Sequence, residues 1–196
     1  QADYIQKTRH LHMSGTNLEA LIHASKIAKD SEVTVSFDSG RKKSELGVTK
    51  LKPILENVDT LIINRHEAKV MLGLEGNAKT LDTAKVMKKK IGTDKTYVIK
   101  GGKENIVLCS PNGDFVVPSF KVAVKDTIGA GDAFDAGFLA AFLRGKILED
   151  AVMCGAACGS LKCREEGAQS APDKSTLETF LKENKDKVEI WNLRES

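Results

Sequence analysis

Strand-like and helix-like stretches alternate along most of this chain, and that alternation leaves few architectures open. Val33-Thr34-Val35-Ser36-Phe37, Leu61-Ile62-Ile63 and residues 96–99 are short β-branched or apolar runs of strand length, with a further short strand at 9–13. Between them the apolar residues recur at helical spacing. One helix carries Leu18, Leu21, Ile22 and Ala28 behind a capping box of Thr16 and Glu19. Others are expected at 51–55, at 66–72 with Gly73 closing it, and at 80–91 with Leu81, Ala84, Val86, Met87 and Ile91 on one face. Strand–helix–strand units pair in parallel, so the pattern predicts a three-layer α/β/α chain with a mostly parallel central sheet. Ligands of such a sheet gather at the C-terminal ends of its strands, where the polar run Asp38-Ser39-Gly40-Arg41 forms one expected loop. A hairpin of 106–109 and 115–117, turned at Asn112-Gly113, interrupts the alternation. Helices ending near Leu143, spanning 148–162, and amphipathic over 175–183 complete the chain. Without a linker, repeat or low-complexity tract, residues 1–196 read as a single domain.

Composition narrows the function mainly by exclusion. The 30 basic residues are nearly balanced by 27 acidic ones, and aromatics make up only 5%, which argues against a nucleic-acid partner. The lysines at Lys88-Lys89-Lys90 and at Lys182, Lys185 and Lys187 suit a solvated face, with a polyanion site as the alternative. No apolar run approaches the about 20 residues of a membrane span, and the opening Gln1-Ala2-Asp3-Tyr4 lacks the character of a signal peptide. A cytoplasmic chain with no membrane partner is therefore expected, one that begins partway through a longer protein. Cys109, Cys154, Cys158 and Cys163 form no CxxC pair and are expected as free, buried thiols. His10 and His12 share a strand face as metal ligands do, but no third ligand is nearby, so a structural role is expected.

The chemistry concentrates in Asp126-Thr127-Ile128-Gly129-Ala130-Gly131-Asp132. A strand runs into glycines and a helix begins at once, so backbone N–H groups of Gly129, Ala130 and Gly131 would lie at a helix N-terminus, where hydrogen bonding and the helix dipole both favour anions. A carboxylate beside an anion hole is repelled by a bound phosphate. Asp132 makes sense there if it takes a proton from an attacking hydroxyl while the amides hold the charge. A tight glycine turn with Asp132 in a capping role explains the same residues equally well. A dinucleotide fingerprint is absent, because the third glycine is missing and no glycine motif follows an early strand.

This segment, followed by Ala136-Gly137-Phe138-Leu139, resembles the C-terminal signature of the ribokinase (PfkB) carbohydrate kinases. The resemblance implies a ribokinase-like fold and phosphoryl transfer from ATP to a sugar or related polyol. In that role Asp132 is the base that meets the substrate, and Gly129, Ala130 and Gly131 form the anion hole. Asn64-Arg65-His66-Glu67 resembles the family's Asn-x-x-Glu motif, which implies that Asn64 and Glu67 help place Mg²⁺ through water. Val98-Ile99-Lys100-Gly101-Gly102 resembles the strand end that meets the nucleotide phosphates, which assigns Lys100 and Gly102, with Gly129 and Gly131, to ATP. Asn105 stands where relatives have glycine and is expected to keep a left-handed turn. Gly155 stands where relatives have a polar residue near adenine, and Glu166-Gly167-Ala168-Gln169 resembles the end of the nucleotide pocket. Main-chain carbonyls of Asp126 and Ile128 are implied as K⁺ contacts, and Arg41 as a partner for an anionic group of the substrate. The resemblance covers about residues 9–169. Relatives also carry an upstream part with the sugar-binding glycines and a β lid, which this chain lacks. A homodimer stays open, and the alternative function is a non-catalytic nucleotide- or sugar-binding module of the same fold.

Overall fold

In the computed structural model, β1 (His10–Met13), β2 (Thr34–Asp38), β3 (Thr60–Asn64) and β4 (Thr96–Lys100) run side by side in that order, each pair parallel. The structure describes residues 2–15, 17–184, 186 and 188–193; the expected cap at Thr16 and the lysines Lys185 and Lys187 lie outside them. The chain divides into two units, Gln1–Lys100 with Cys109–Gly113, and Gly101–Leu108 with Asp114–Ser196.

The first unit owes its form to strands that are apolar on both faces. Val35, Phe37, Ile62, Ile63, Val98 and Ile99 are fully buried, and since neighbouring residues of a strand point to opposite faces, both faces of this sheet are covered. The helices of this unit are α1 (Ala2–Gln6), α2 (Leu18–Asp30), α3 (Gly40–Ser44), α4 (Gly47–Leu55), α5 (Arg65–Leu72) and α6 (Thr80–Ile91). Three expectations change here. Helix α2 is capped by Asn17, whose side chain accepts from the Ala20 N–H at 3.0 Å. Residues 38–41 are not a loop, because Gly40 turns the chain at φ +59° straight into α3. Helix α4 begins at Gly47, a turn earlier than its apolar residues suggest. Helix α5 closes as expected, with Gly73 left-handed at φ +65°.

A polar cluster lies at the β1 edge of this sheet. Ser36 is fully buried, and its Oγ lies 2.8 Å from both His10 Nε2 and His12 Nδ1, while His10 Nδ1 lies 2.8 Å from Thr34 Oγ1. The two histidines serve cross-strand hydrogen bonding, and among the described residues no group of three or more His, Cys, Asp or Glu could hold a metal.

β5 (Ile106–Ser110) and β6 (Gly113–Val117) are joined through Pro111-Asn112, one residue earlier than the Asn-Gly signal implies. Gly113 has no positive φ; instead Ser110 Oγ donates to Gly113 O and accepts from the Asn112 and Gly113 N–H groups. This side-chain clamp supplies the turn that a left-handed pair would otherwise make.

The second unit carries α7 (Ala130–Phe142), α8 (Leu148–Lys162), α9 (Lys174–Asn184) and β7 (Trp191–Asn192), which pairs antiparallel with β6. Helices α7 and α8 are pressed together along glycines. A Cβ on Gly137 would stand 2.6 Å from Cys158 Sγ, and one on Gly155 would stand 2.9 Å from Phe134 O. All four cysteines are free, but only Cys109 and Cys158 are buried; Cys154 and Cys163 are half-buried. Burial pushes the Cys158 thiol up to about 11. No helix among the described residues is long and apolar enough to cross a membrane.

Candidate functional site

The residues singled out by the sequence fall into a group in each unit. In the first unit they stand at the C-terminal ends of neighbouring strands. Asp38 ends β2, Asn64 ends β3 and Lys100 ends β4, with Asn64 directly paired to Lys100 in the ladder. Lys100 Nζ donates to Asp38 Oδ2 at 2.9 Å, and the Gly40 N–H donates to Asp38 Oδ1 at 2.9 Å. With side chains only 12% and 17% exposed, the Lys100–Asp38 pair is largely shielded from water and acts as a fixed element, not a loose surface pair.

Asn64 and Glu67 form a complete capping box at the start of α5. The Glu67 N–H donates to Asn64 Oδ1 at 2.9 Å, and the Asn64 N–H donates to Glu67 Oε2 at 3.2 Å. Burial, and then the negative charge of Asp38, lift the Glu67 carboxyl above its usual range; the Asn64 N–H and Lys100 pull the other way. An acid held this way gains from any cation brought beside it. Each capping oxygen accepts one N–H, and a carboxylate has room for several donors, so the pair retains the hard oxygens that Mg²⁺ takes through its waters. One amide oxygen and one carboxylate, with no group of three or more His, Cys, Asp or Glu that could hold a metal among the described residues, fit Mg²⁺ delivered with phosphates and do not fit a cage made by protein alone. Arg41 does not lie in a loop: it is on α3, 79% exposed at its side chain and 3.6 Å from Glu45.

In the second unit, Gly129 precedes α7 with φ +81° and leaves the helix start without a side-chain cap. Only glycine fits, for two separate reasons. The backbone is left-handed, and a Cβ would stand 2.5 Å from Ala168 O. The segment 166–169 thus meets this turn through its backbone. The Ala130 N–H donates to Thr127 O at 3.1 Å and shapes the turn instead of facing outward. That leaves the amides of Gly129, Gly131 and Asp132 at the helix start, with the Asp132 carboxylate exposed beside them.

Asp126 holds the turn in place. Its carboxylate accepts from the Ile128 N–H at 2.9 Å and the Gly167 N–H at 3.0 Å, and these bonds, led by Ile128, keep it below the usual carboxylate range. Lys162, at the end of α8, is fully buried and donates to Asp126 O at 3.0 Å. Nothing in the sequence marked Lys162 as part of this group, since a lysine in the last turn of a helix is ordinary. Gly155, which the resemblance assigned to ATP, is buried in the α7–α8 seam against Phe134. Gly102 is left-handed at φ +67° with open space around it, and Asn105 is not left-handed. Gly101 supplies the close approach, since a Cβ there would stand 2.2 Å from Asn105 O.

A family model described as pfkB family carbohydrate kinase matches residues 1–175. The chain is 33% identical over 182 residues to the ATP-dependent ribose-1-phosphate kinase of Halopiger xanaduensis, covering 93% of this chain and 57% of that protein. It is 30% identical over 183 residues to the 5-dehydro-2-deoxygluconokinase of Listeria innocua, covering 86% and 55%. Among solved structures, Arabidopsis thaliana ribokinase with ribose and ATP superposes with a TM-score of 0.82 at 24% identity, over 92% of this chain and 58% of that one. The nucleoside kinase of Methanocaldococcus jannaschii does so with 0.74 at 26%, over 93% and 61%. The chain spans little more than half the length of the curated relatives named here.

Proposed function

The chain belongs to the pfkB family of carbohydrate kinases and has a ribokinase-like, mostly parallel α/β fold, and from that premise we propose that it transfers the γ-phosphate of ATP to a hydroxyl of a sugar or nucleoside. The observation that carries this reading is the start of α7. Gly129 is held there by a left-handed turn and a backbone neighbour that no other residue tolerates, with an exposed carboxylate in the first turn. The helix dipole by itself favours an acid in a first turn, so what supports the reading is the acid together with the glycine-only turn and the uncapped amides, within the family's signature segment.

In the proposed reaction Asp132 accepts the proton of the attacking hydroxyl as its oxygen bonds to phosphorus and the bond to the ADP oxygen breaks. The amides of Gly129, Gly131 and Asp132 hold charge on the transferring group, aided by the helix dipole. Lys100 and Gly102 are assigned to the ATP phosphates, and Lys100 can serve only as an ammonium fixed by Asp38. Asn64 and Glu67 would hold Mg²⁺ through water, and the ion would supply positive charge to the phosphates. An exposed carboxylate at Asp132, beside the uncapped amides of this helix start, favours catalysis over a binding module of the same fold.

The test is made on the chain preceded by the N-terminal portion that its relatives carry, with Mg-ATP and a panel of sugars, sugar phosphates and nucleosides. Asp132→Asn should lower turnover by roughly 10²–10⁴-fold while leaving ATP affinity nearly unchanged. Near-normal turnover in that variant would sink the assignment.

A further inference from the structure

We propose that the ammonium of Lys162 is the resident cation of the turn that opens α7, filling a cation hole that would otherwise take a free monovalent ion. Where turnover is concerned this rests on the kinase reading above. Lys162 is the last residue of α8, and none of its side chain is exposed. A lysine is rarely buried in full unless its charge is met, and here it is met entirely by oxygen. Nζ lies 3.0 Å from Asp126 O, 3.4 Å from Glu165 O and 3.4 Å from Asp126 Oδ2.

Two main-chain carbonyls and one carboxylate are the hard oxygen donors that an alkali cation accepts. An ammonium is similar to K⁺ in size and equal to it in charge, and it adds three directed N–H donors. The resemblance implied Asp126 and Ile128 as potassium contacts. That does not fit this chain, because the Asp126 carbonyl already carries a tethered positive charge, and a second cation there would meet its repulsion.

The ammonium also sits where a charge controls the site. The Asp126 carboxylate that it approaches takes the N–H groups of Ile128 and Gly167, and next to Gly167 the Ala168 carbonyl closes against Gly129. Removing the charge would leave two carbonyls and a carboxylate facing one another and loosen the turn that presents Gly131 and Asp132. Lys162 is therefore a positioning residue, and a cation supplied from solution should replace it in part.

The first readout needs no catalysis. Melting temperatures of this chain, of Lys162→Met and of Lys162→Ala are compared in choline chloride, LiCl, KCl and NH₄Cl at equal ionic strength. The unaltered chain should melt at the same temperature in KCl and choline chloride. Lys162→Ala should melt lower in choline chloride and recover roughly 3–6 °C in KCl or NH₄Cl, with little gain in LiCl. In the form extended by the relatives' N-terminal portion, Lys162→Ala should lose about tenfold or more in turnover in choline chloride and regain most of it in KCl. A higher melting temperature in KCl for the unaltered chain would overturn the proposal, as would Lys162→Ala ignoring KCl and NH₄Cl or Lys162→Met, whose side chain keeps the hole filled, responding to them as Lys162→Ala does. Variants that aggregate in every salt would also overturn it, because a refillable hole must yield folded protein in KCl. If no form turns over, the unaltered one included, the kinase reading fails and the melting result still decides the role of Lys162.

Discussion

Single residues here are constrained by what stands beside them, and Gly129 shows this best. Gly102 and Gly129 are both left-handed, at φ +67° and +81°, but only Gly129 also has a backbone oxygen in the place a Cβ would take. Alanine at Gly102 should therefore cost only the left-handed strain of about 1–2 kcal/mol. Gly129→Ala carries the same strain and must also push Ala168 away, which displaces the amides of Gly131 and Asp132. The expected outcome is a distinctly lower melting temperature for Gly129→Ala than for Gly102→Ala, with turnover of the extended form nearly lost. Equal melting by the two variants would show that Ala168 moves freely. The sequence revealed the glycine and the acid as a pair, because a helix start restricts which residues can be there. It could not reveal Ala168 or Lys162, which reach the turn only through folding.

At the scale of elements, α5 combines a structural and a functional assignment in one pair of side chains. Asn64 and Glu67 cap the helix reciprocally, and the same pair is assigned to magnesium. Burial, with the charge of Asp38, raises the Glu67 carboxyl, so the folded chain binds that proton more tightly than the unfolded chain does. That contribution to stability is complete below the ordinary carboxylate range and is lost as pH rises through the raised value. Glu67→Gln keeps a capping oxygen but cannot ionise. It should therefore flatten the pH dependence of melting just above the ordinary carboxylate range. In the extended form it should also raise the Mg²⁺ concentration for half-maximal rate, with ATP binding without metal little changed. An unchanged magnesium requirement would leave Glu67 as a cap alone. The strand and helix positions were readable because periodicity is local. Helix α3 and the Pro111-Asn112 turn were not, because Gly40 and Ser110 act through bonds that a pattern of apolar residues does not record.

For the whole molecule the decisive fact is that the chain spans 57% of the length of its ribose-1-phosphate kinase relative. The nucleotide-facing assignments all lie on residues present here, whereas the resemblance places the sugar contacts and lid in the relatives' upstream part. An acceptor that is not held forfeits the positioning worth about 7–11 kcal/mol of barrier, and an open site admits water. This chain alone should thus bind Mg-ATP weakly and phosphorylate sugars negligibly, and adding the upstream part should recover activity. A coupled ADP-release assay on both forms with a sugar panel checks this; sugar-dependent turnover by the chain alone at the rate of the extended form would refute it. Sequence by itself determined the parallel α/β class and the family, since alternating periods and a seven-residue signature are encoded in neighbouring residues. Tertiary structure alone decided that Gly155 packs between helices, that Lys100 is tied to Asp38 across 62 positions, and that Lys162 brings its charge to Asp126 across 36. The physical reason is that burial and charge pairing depend on distance in space, and the chain meets those partners only after its strands and helices have packed.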